Sequence, residues 1–295
     1  MTKSIFIFFH SRIKKTAKIM AKSIERSPSF LFMLFKACNA IFQPSDVSFK
    51  NKCGGSINVL GNGPSCHSTF KKNRIDGEKI MVVNFFGVSP EFHDYKPSHY
   101  VLIDPLFFED GSERFLQLYE LLNGVDWNMT LFVPFAYKKI AKRLIINAFV
   151  NIKAIRFNYF PGDNRILYAL YQRNLATPRF QNVINACLYL SVNQGYSEIK
   201  LHGVESDEFK KFSIDANNNV ILETEHFYGK SIINLTKEER INKGEFWNYL
   251  KYYSYMLQGY SEMEKYSKFM KCRILNYTKI SCIDSFEKYS NKPPG

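Results

Sequence analysis

Metal-binding and disulfide motifs are missing from this sequence of 295 residues. Its six cysteines include no CxxC pair and no tight cluster with histidine, which argues against a zinc site or a disulfide framework and favours reduced thiols. No apolar run reaches the roughly 20 residues that a membrane-spanning helix needs. Internal repeats and low-complexity segments are missing as well. With 45% hydrophobic and 16% aromatic residues, the chain is expected to form one or two folded domains.

Acidic residues are scarce in the first 52 positions, which hold ten Lys or Arg and only two Asp or Glu. A signal peptide is not expected, because the basic stretch follows the first apolar cluster instead of preceding it. Basic residues beside short apolar clusters suit an anionic membrane surface, and a helical pair packed on the domain is the alternative. We therefore expect residues 1–52 to be a basic, partly apolar segment of a cytoplasmic protein. This segment would hold the protein at the cytoplasmic face of the inner membrane.

From position 56 onward, short apolar runs alternate with longer amphipathic stretches, as they do in repeated βαβ units. This pattern predicts an α/β, Rossmann-like fold, with a mostly parallel sheet covered by helices on both faces. The predicted strands are 56–60, 79–84, 99–104, 129–134, 152–157 and 198–203. The predicted helices between them lie near 109–123, 136–148 and 180–194.

The remaining third of the chain has a different character. We predict that residues 53–203 form the nucleotide-binding domain, and that residues 204–295 form a lid segment and a C-terminal helical region packed on it. Residues 204–244 are rich in turn formers and charge, and a long irregular stretch of this kind is often a lid or a binding loop. Residues 245–269 predict one long helix whose aromatic stripe packs in the core.

Polar residues and a glycine follow several of the predicted strands. Ligands of parallel sheets bind outside the carboxyl ends of the strands, so these residues are candidate ligand-binding groups. Glu205-x-Asp207 is a possible Mg²⁺ site, but hydrogen bonding to a ribose is the interpretation that we favour. The strand-end candidates are Asn62, Asn84, Asp104, Gly203, Glu205 and Asp207.

A glycine-rich loop follows the first strand. Glycines at 61 and 63 let a ligand approach the backbone, and Pro64 with Ser65 suits the start of a helix, whose free N–H groups attract anions. The loop matches neither GxGxxG nor GxxxxGK[ST], and a plain structural turn is the alternative. The loop residues are Gly61, Asn62, Gly63, Pro64 and Ser65.

A second candidate segment surrounds Pro178, which is predicted to precede or open a helix. Arg179, Gln181 and Asn182 would then fall in the first helical turn. A cation at that end of a helix makes sense if it helps the free N–H groups bind a phosphate or a carboxylate. A surface arginine without contacts is the alternative.

The third candidate segment holds the predicted catalytic residues. His226 lies in a polar, loop-like stretch, where an imidazole can act as general base near neutral pH. Tyr228 offers a hydroxyl that can stabilise negative charge on a leaving group. An ordinary structural role is the alternative for this histidine.

Taken in order, these segments resemble the bacterial sialyltransferases of glycosyltransferase family 42 and related enzymes of capsule and lipopolysaccharide synthesis. The family has a GNGPS loop after its first strand, as at 61–65, and an Asn that ends its second strand, as Asn84 does. Asp104 and Pro105 stand where the family has an Asn beside a proline after its third strand. Gly195-Tyr196 and the run SEIKLHG match a later family strand, and the likeness covers about residues 56–230.

The resemblance implies an inverting, metal-independent glycosyltransferase that needs no cofactor besides its donor. It would move sialic acid or a Kdo-like acidic sugar from a CMP-sugar to a saccharide or lipid-linked acceptor of a bacterial surface glycan. Asn62 and the loop backbone would lie near the phosphate, and Asn84 and Asp104 near the nucleotide or the sugar. Arg179, Gln181 and Asn182 would bind the phosphate or the sugar carboxylate, and His226 would deprotonate the acceptor.

The sequence also departs from this family. It has Gly229-Lys230-Ser231 where the family has GHS, so the base is His226 in a shifted register or another group. The family's tyrosines after GID have no counterpart in the run GVESD. One alternative is a Mg²⁺-dependent, pyrophosphokinase-like enzyme. Another is charge-driven nucleic-acid binding, which we do not expect because the charge lies among apolar clusters and no nucleic-acid motif is present. A homo-oligomer is compatible with the sequence.

Overall fold

The computed structural model of the protein describes residues 53–227 and 229–290. The predicted N-terminal segment, residues 1–52, and the predicted catalytic residue Tyr228 lie outside these described residues. At the centre is an eight-stranded sheet in which every strand pairing is parallel. Helices cover this sheet, which confirms the α/β, Rossmann-like fold class. No described helix is both long and apolar enough to cross a membrane.

The six predicted strands of the central sheet are all present, with ends that shift by a few residues. The central order is β11-β10-β6-β1-β2-β3-β4-β5, and β7-β8-β9 form a second sheet. The strands are β1 (Ser56–Leu60), β2 (Lys79–Val83), β3 (His99–Val101), β4 (Met129–Pro134), β5 (Val150–Ile155), β6 (Glu198–His202), β7 (Phe212–Ile214), β8 (Val220–His226), β9 (Gly229–Asn234), β10 (Arg273–Asn276) and β11 (Glu287–Lys288).

The strand order reverses between β1 and β6. From β1 the chain adds β2 to β5 on one side, and then returns to place β6 on the other side of β1. Such a reversal leaves a crevice beyond the carboxyl ends of the two strands, which is where parallel α/β sheets bind ligands. The glycine-rich loop at 61–65 begins at this crevice.

Helices of very different lengths connect the strands, and they include the three predicted between residues 109 and 194. Short 3-10 turns lie at Asn84–Val88, Phe135–Tyr137 and Glu208–Lys210. The helices are α1 (Cys66–Asn73), α2 (Glu91–Tyr95), α3 (Leu106–Glu109), α4 (Glu113–Asn123), α5 (Lys138–Leu144), α6 (Arg165–Tyr171), α7 (Val183–Gln194) and α8 (Phe246–Phe269).

The long C-terminal helix α8 packs on α7, as its aromatic stripe predicted. Tyr260, Met263 and Tyr266 are fully buried. Gly259 permits the close approach, because a Cβ there would lie 2.7 Å from the carbonyl oxygen of Arg179 and 3.0 Å from the Asn185 side chain. The helix therefore belongs to the core.

Buried polar residues join the central strands. Lys200 on β6 forms an ion pair with Glu78 at 2.5 Å, and Asn58 on β1 donates to the other oxygen of Glu78 at 2.9 Å. The imidazole of His202 lies 3.2 Å from the amide oxygen of Asn58. Burying charge costs free energy unless the groups are paired, and pairing lets these groups occupy the middle of an apolar sheet.

The segment at 204–244 is more regular than predicted. It contains the antiparallel sheet β7-β8-β9, whose Val220 and Leu222 form a small core with Leu235 and Ile241. The run DANNN is a tight turn rather than a loose loop, because Asp215 accepts hydrogen bonds from the backbone of Asn217 and Asn219. The turn residues of the segment predict an irregular stretch, whereas three strands lie there.

Candidate functional site

A cavity of about 480 Å³ lies where the strand order reverses. Its wall combines the loop after β1, the ends of β2 and β6, and the end of β8. Most of the residues predicted from the sequence therefore meet in one place. Those that line the cavity are Gly61, Asn62, Gly63, Pro64, Asn84, Asp104, Asn182, Gly203, Glu205, Asp207 and His226.

The glycines of the first loop bring it against the loop that follows β6. The amides of Gly61 and Gly63 donate to the carbonyls of His202 and Gly203, at 2.8 and 3.0 Å. A Cβ at Gly61 would lie 2.4 Å from the Gly203 oxygen, and one at Gly63 would overlap the Glu205 carboxylate. These positions need glycine because two loops of the protein itself touch here.

Glu205 occupies the N-terminal end of α1. Its Oε1 accepts hydrogen bonds from the Ser65 backbone at 3.1 Å and from the Ser65 hydroxyl at 2.5 Å. A carboxylate is favoured at this end of a helix, which is where the sequence predicted a ligand anion. The other oxygen, Oε2, is buried without a hydrogen-bond partner among the described residues.

Two asparagines present unpaired amide oxygens at the cavity. The Oδ1 atoms of Asn62 and Asn84 are buried and have no hydrogen-bond partner among the described residues. Asn84 also has a left-handed backbone (φ 49), and the Tyr100 hydroxyl stabilises it by donating to its carbonyl. That hydroxyl accepts from the Gly87 amide at 2.8 Å. Unusual backbone and unpaired buried polar atoms concentrate where proteins bind ligands.

His226 reaches the cavity because the β8–β9 hairpin packs on the first loop. The amide of Phe227 donates to the Asn62 carbonyl at 3.0 Å, and its ring packs edge-on against His67 with centroids 4.6 Å apart. Burial lowers the pKa of His226, and the charges of Arg114 and Lys211 lower it further. A hydrogen bond with the backbone of Asn62 opposes this shift. The imidazole is therefore neutral at pH 7, the form that accepts a proton.

Several charged residues of the cavity were not predicted from the sequence. Arg114 lies in the first turn of α4, 3.6 Å from the centre of the Phe85 ring. The predicted helix begins near residue 109, so the sequence does not place Arg114 in a first turn, whereas the observed helix begins at Glu113. Arg240 and Glu208 also line the cavity. Burial and the charges of neighbouring carboxylates raise the pKa of Glu208, and its Oε2 has no partner among the described residues.

Arg179 and Gln181 do not line the cavity, and their predicted place in a helical turn is wrong. Helix α7 begins at Val183, and Asn182 is its N-cap, with its Oδ1 accepting from the Asn185 amide at 3.0 Å. Asparagine is a strong N-cap residue, whereas Pro178 lies in the preceding loop. Asn182 does line the cavity, and its Nδ2 donates to the Tyr260 hydroxyl at 2.7 Å.

Arg179 instead packs the loop before α7 against α8. Its guanidinium carbon lies 4.2 Å from the ring centre of Tyr159 and 4.1 Å from that of Tyr255. Its backbone amide donates to Glu262 at 3.0 Å. These contacts orient the side chain towards the helix.

The remaining predicted residues have partners within the protein. Asp104 accepts a hydrogen bond from the Leu106 amide at 3.0 Å, and Asp207 forms an ion pair with Lys211 at 3.1 Å. Ser65 lies on the wall of a neighbouring cavity. Within the described ranges, no three His, Cys, Asp or Glu side chains converge as a metal ion would require.

The solved structures similar to this chain include two glycosyltransferases. One is the MAf glycosyltransferase from Magnetospirillum magneticum AMB-1, with 12% identity and a TM-score of 0.47 over 83% of this chain and 35% of that one. The other is an alpha-2,3-sialyltransferase from Campylobacter jejuni in its apo form, with 11% identity and a TM-score of 0.43 over 83% of each chain. This chain thus spans about a third of the first structure. No family model and no curated protein matches the sequence. The fold assignment therefore rests on the strand pairings of this chain itself.

Proposed function

We propose that this protein is a glycosyltransferase that moves an acidic sugar, sialic acid or a Kdo-like sugar, from a CMP-sugar to a saccharide of a bacterial surface glycan. One observation carries the proposal: Asn62 and Asn84, whose buried amide oxygens have no hydrogen-bond partner among the described residues, line the same cavity as His226. The cavity lies at the reversal of strand order, where parallel sheets bind nucleotides. The loop at 61–65 has the GNGPS sequence of the sialyltransferases that this chain resembles, which supports the choice of a CMP-sugar.

The cavity offers suitable groups for each part of the donor. An amide oxygen accepts a hydrogen bond from the amino group of cytosine or from a ribose hydroxyl, which suits Asn62 and Asn84. We assign the phosphate and the sugar carboxylate to Arg114 and Arg240, because guanidinium groups bind both with paired hydrogen bonds. Arg179 lies outside the cavity.

The transfer is a single displacement. The acceptor hydroxyl attacks the anomeric carbon, and the bond from that carbon to the phosphate oxygen breaks and releases CMP. His226 takes the hydroxyl proton, a role that contributes about 10²–10⁴-fold to the rate of such reactions. Attack opposite the leaving group inverts the configuration. The arginines stabilise the charge that grows on the phosphate.

One feature of the cavity favours a second reaction class. Four carboxylates of the segment after β6 and of β8 line it, namely Glu205, Asp207, Glu208 and Glu225. Carboxylate oxygens are the ligands that Mg²⁺ prefers in a pyrophosphoryl transfer, although no three of the described carboxylates converge as a bound ion would require. The two reactions differ in their need for metal.

Release of CMP tests the proposal and separates the two reactions. The purified protein is incubated with CMP-sialic acid or CMP-Kdo and a mixture of oligosaccharides, with and without EDTA. We expect CMP release that EDTA leaves unchanged. Release that needs Mg²⁺, or no release from either donor, contradicts the proposal.

The basic segment at 1–52 would serve the same function by binding the membrane. We propose that it holds the enzyme beside a lipid-linked acceptor, since Lys and Arg near an anionic membrane each contribute on the order of 1 kcal/mol. Flotation with anionic liposomes, compared between the full chain and a chain lacking residues 1–52, measures this. Equal flotation of the two contradicts the membrane role.

A further inference from the structure

A second, larger cavity of about 730 Å³ adjoins the first. The two share a wall made of Pro64, Glu205, Asp207 and Glu225. A molecule in the second cavity would therefore lie next to a donor in the first, with these residues at the boundary. Of the residues predicted from the sequence, Ser65 lines this cavity and not the first one.

One wall of this cavity is a polar face of helix α1. Ser65, Ser68, Thr69, Lys72 and Asn73 line it, at the spacing of three and four residues that places side chains on one helical face. Ser68 and Thr69 donate their hydroxyl protons to the backbone of the same helix, which leaves the hydroxyl oxygens as acceptors. A face of this kind is suited to a ligand with many hydroxyl groups.

Among the described residues, the cavity has two cations and one carboxylate without an ion pair. Asp207 pairs with Lys211 at 3.1 Å and Glu225 pairs with Lys230 at 2.9 Å, whereas Glu205 only accepts hydrogen bonds from Ser65. Lys72 on the helix wall and Lys279 on the C-terminal wall form no ion pair with any residue of the described part of the chain. Lys72 lies about 10 Å along α1 from Ser65, at a rise of 1.5 Å per residue.

Aromatic rings complete the C-terminal wall. Tyr277 and Tyr289 stack with centroids 4.1 Å apart and an angle of 14° between their planes. His202 lies 4.8 Å from Tyr277 on centroids, whereas Tyr289 is 42% exposed. An exposed tyrosine ring presents an apolar face and a polar hydroxyl, which suits packing against the ring of a sugar.

We infer that this second cavity is the acceptor site and that it takes an acidic saccharide. The attacking hydroxyl would extend past Glu205 into the first cavity, which His226 lines. A phosphate or carboxylate of the acceptor would lie about one sugar unit or more away, between Lys72 and Lys279. This inference rests on the proposed function, because it supplies that reaction with its second substrate.

Equilibrium binding of three probes to the full-length protein tests the charge preference. The probes are lactose, sialyllactose and lactose phosphate, which differ in carrying no charge, a carboxylate or a phosphate. We expect both acidic probes to bind more tightly than lactose. The better of the two identifies the acceptor's acid as a carboxylate or a phosphate.

Two double variants locate the site. In K72A/K279A, binding of the acidic probes should weaken by about fivefold to tenfold towards that of lactose, because two exposed charge contacts are lost. K71A/K142A removes the same charge from surface lysines outside both cavities and should leave binding unchanged. Tyr289→Ala should weaken all three probes alike, since the ring contacts sugar rather than charge.

Several outcomes would overturn the acceptor site. They are equal binding of lactose and the acidic probes, no binding of any probe, or the same loss in K71A/K142A as in K72A/K279A. The proposed function has a separate readout in the thermal stabilisation of the wild-type protein by CMP. Stabilisation by CMP without selective saccharide binding contradicts the acceptor site alone, and the absence of stabilisation by CMP contradicts the proposed function.

Discussion

Asn84 combines three features that seldom occur together in one residue. It ends a buried strand, has a left-handed backbone, and carries a buried amide oxygen with no partner among the described residues. The Tyr100 hydroxyl supports its carbonyl, so the conformation is stabilised by the protein. A ligand group that donates a hydrogen bond to this oxygen would remove the cost of burying it unpaired.

Replacing Asn84 by glycine separates binding from stability. Glycine adopts a φ of about 49° readily, so Asn84→Gly should leave the free energy of unfolding nearly unchanged. Loss of the amide should raise the dissociation constant for CMP about tenfold, the size of one hydrogen bond. Titration calorimetry with CMP and urea unfolding measure the two effects. Unchanged CMP affinity in a folded variant would remove Asn84 from the site.

Replacing His226 tests the proposed base. His226→Ala should lower the transfer rate about 10²–10⁴-fold while CMP still binds, because the imidazole acts on the acceptor proton. His93→Ala is the matched control, since His93 is exposed and lies outside both cavities. Steady-state rates of sugar transfer by the wild-type protein and the two variants measure this effect. Full activity in the His226 variant would assign the base to another group, such as Glu208.

The pH profile gives a second measure of the same residue. Burial lowers the pKa of His226 below its usual value of 6.5, and a general base must be deprotonated. We expect a transfer rate that is flat above about pH 7.5 and falls in acidic solution with a midpoint below pH 6.5. A rate that rises through pH 7 to 8 would contradict a neutral, buried imidazole as base.

At the scale of elements, the site depends on contact between the loops that follow β1 and β6. Gly203 has a φ of +64°, and a Cβ there would lie 2.4 Å from the Cβ of Cys66. A side chain at position 203 therefore cannot be accommodated unless the start of α1 moves.

Two glycine substitutions isolate this contact. Gly77 also has a positive φ (+84°), but a Cβ there would meet nothing within 4 Å. Gly77→Ala should cost about 1–2 kcal/mol of stability from backbone strain alone. Gly203→Ala should cost about 3–5 kcal/mol, because overpacking adds to the strain. Urea unfolding of both variants gives the difference, and equal costs would show that the loops can move apart freely.

Elements built from continuous apolar runs could be predicted from the sequence. The bounds of β1 and β4 match those predicted, and α8 begins one residue later than predicted, because buried strands and long aromatic stripes leave strong patterns. The sequence does not reveal the small sheet β7-β8-β9, since its strands are half-exposed and lie between turn residues. The sequence misplaces the start of α7, because Pro178 suggests a helix start whereas Asn182 is the N-cap.

At the scale of the whole molecule, the parallel topology explains why the strand-end residues meet. Parallel strands bring their carboxyl ends to one edge, so Asn62, Asn84 and Glu205 come together although they are far apart in sequence. Arg240 and Glu208 could not be found in this way. Glu208 reaches the cavity from a 3-10 turn and Arg240 from the loop after β9. The placement of both depends on the packing of the small sheet.

Buried histidines should make the stability of the whole protein depend on pH. Burial lowers the pKa of His99 to about 4 and that of His202 to about 3, and it also lowers the pKa values of His67 and His226. In the unfolded chain these groups bind protons near pH 6.5. The unfolded state therefore binds more protons below that pH, and stability falls as the solution becomes more acidic.

The size of this effect can be measured by urea unfolding. Between pH 7.5 and pH 5, each histidine that stays neutral in the folded state should cost about 2 kcal/mol of stability. His99 and His202 contribute most, because their pKa values lie below pH 5. A free energy of unfolding that does not change between these pH values would contradict their burial in the neutral form.

The most direct test of the central claim is the structure of a crystal soaked with CMP. The nucleotide should lie beyond the ends of β1 and β2, with its hydrogen-bond donors on the amide oxygens of Asn62 and Asn84 and its phosphate near Arg114. CMP bound elsewhere, or a cavity that still holds only solvent at saturating CMP, would contradict the proposal that this edge of the sheet binds the donor.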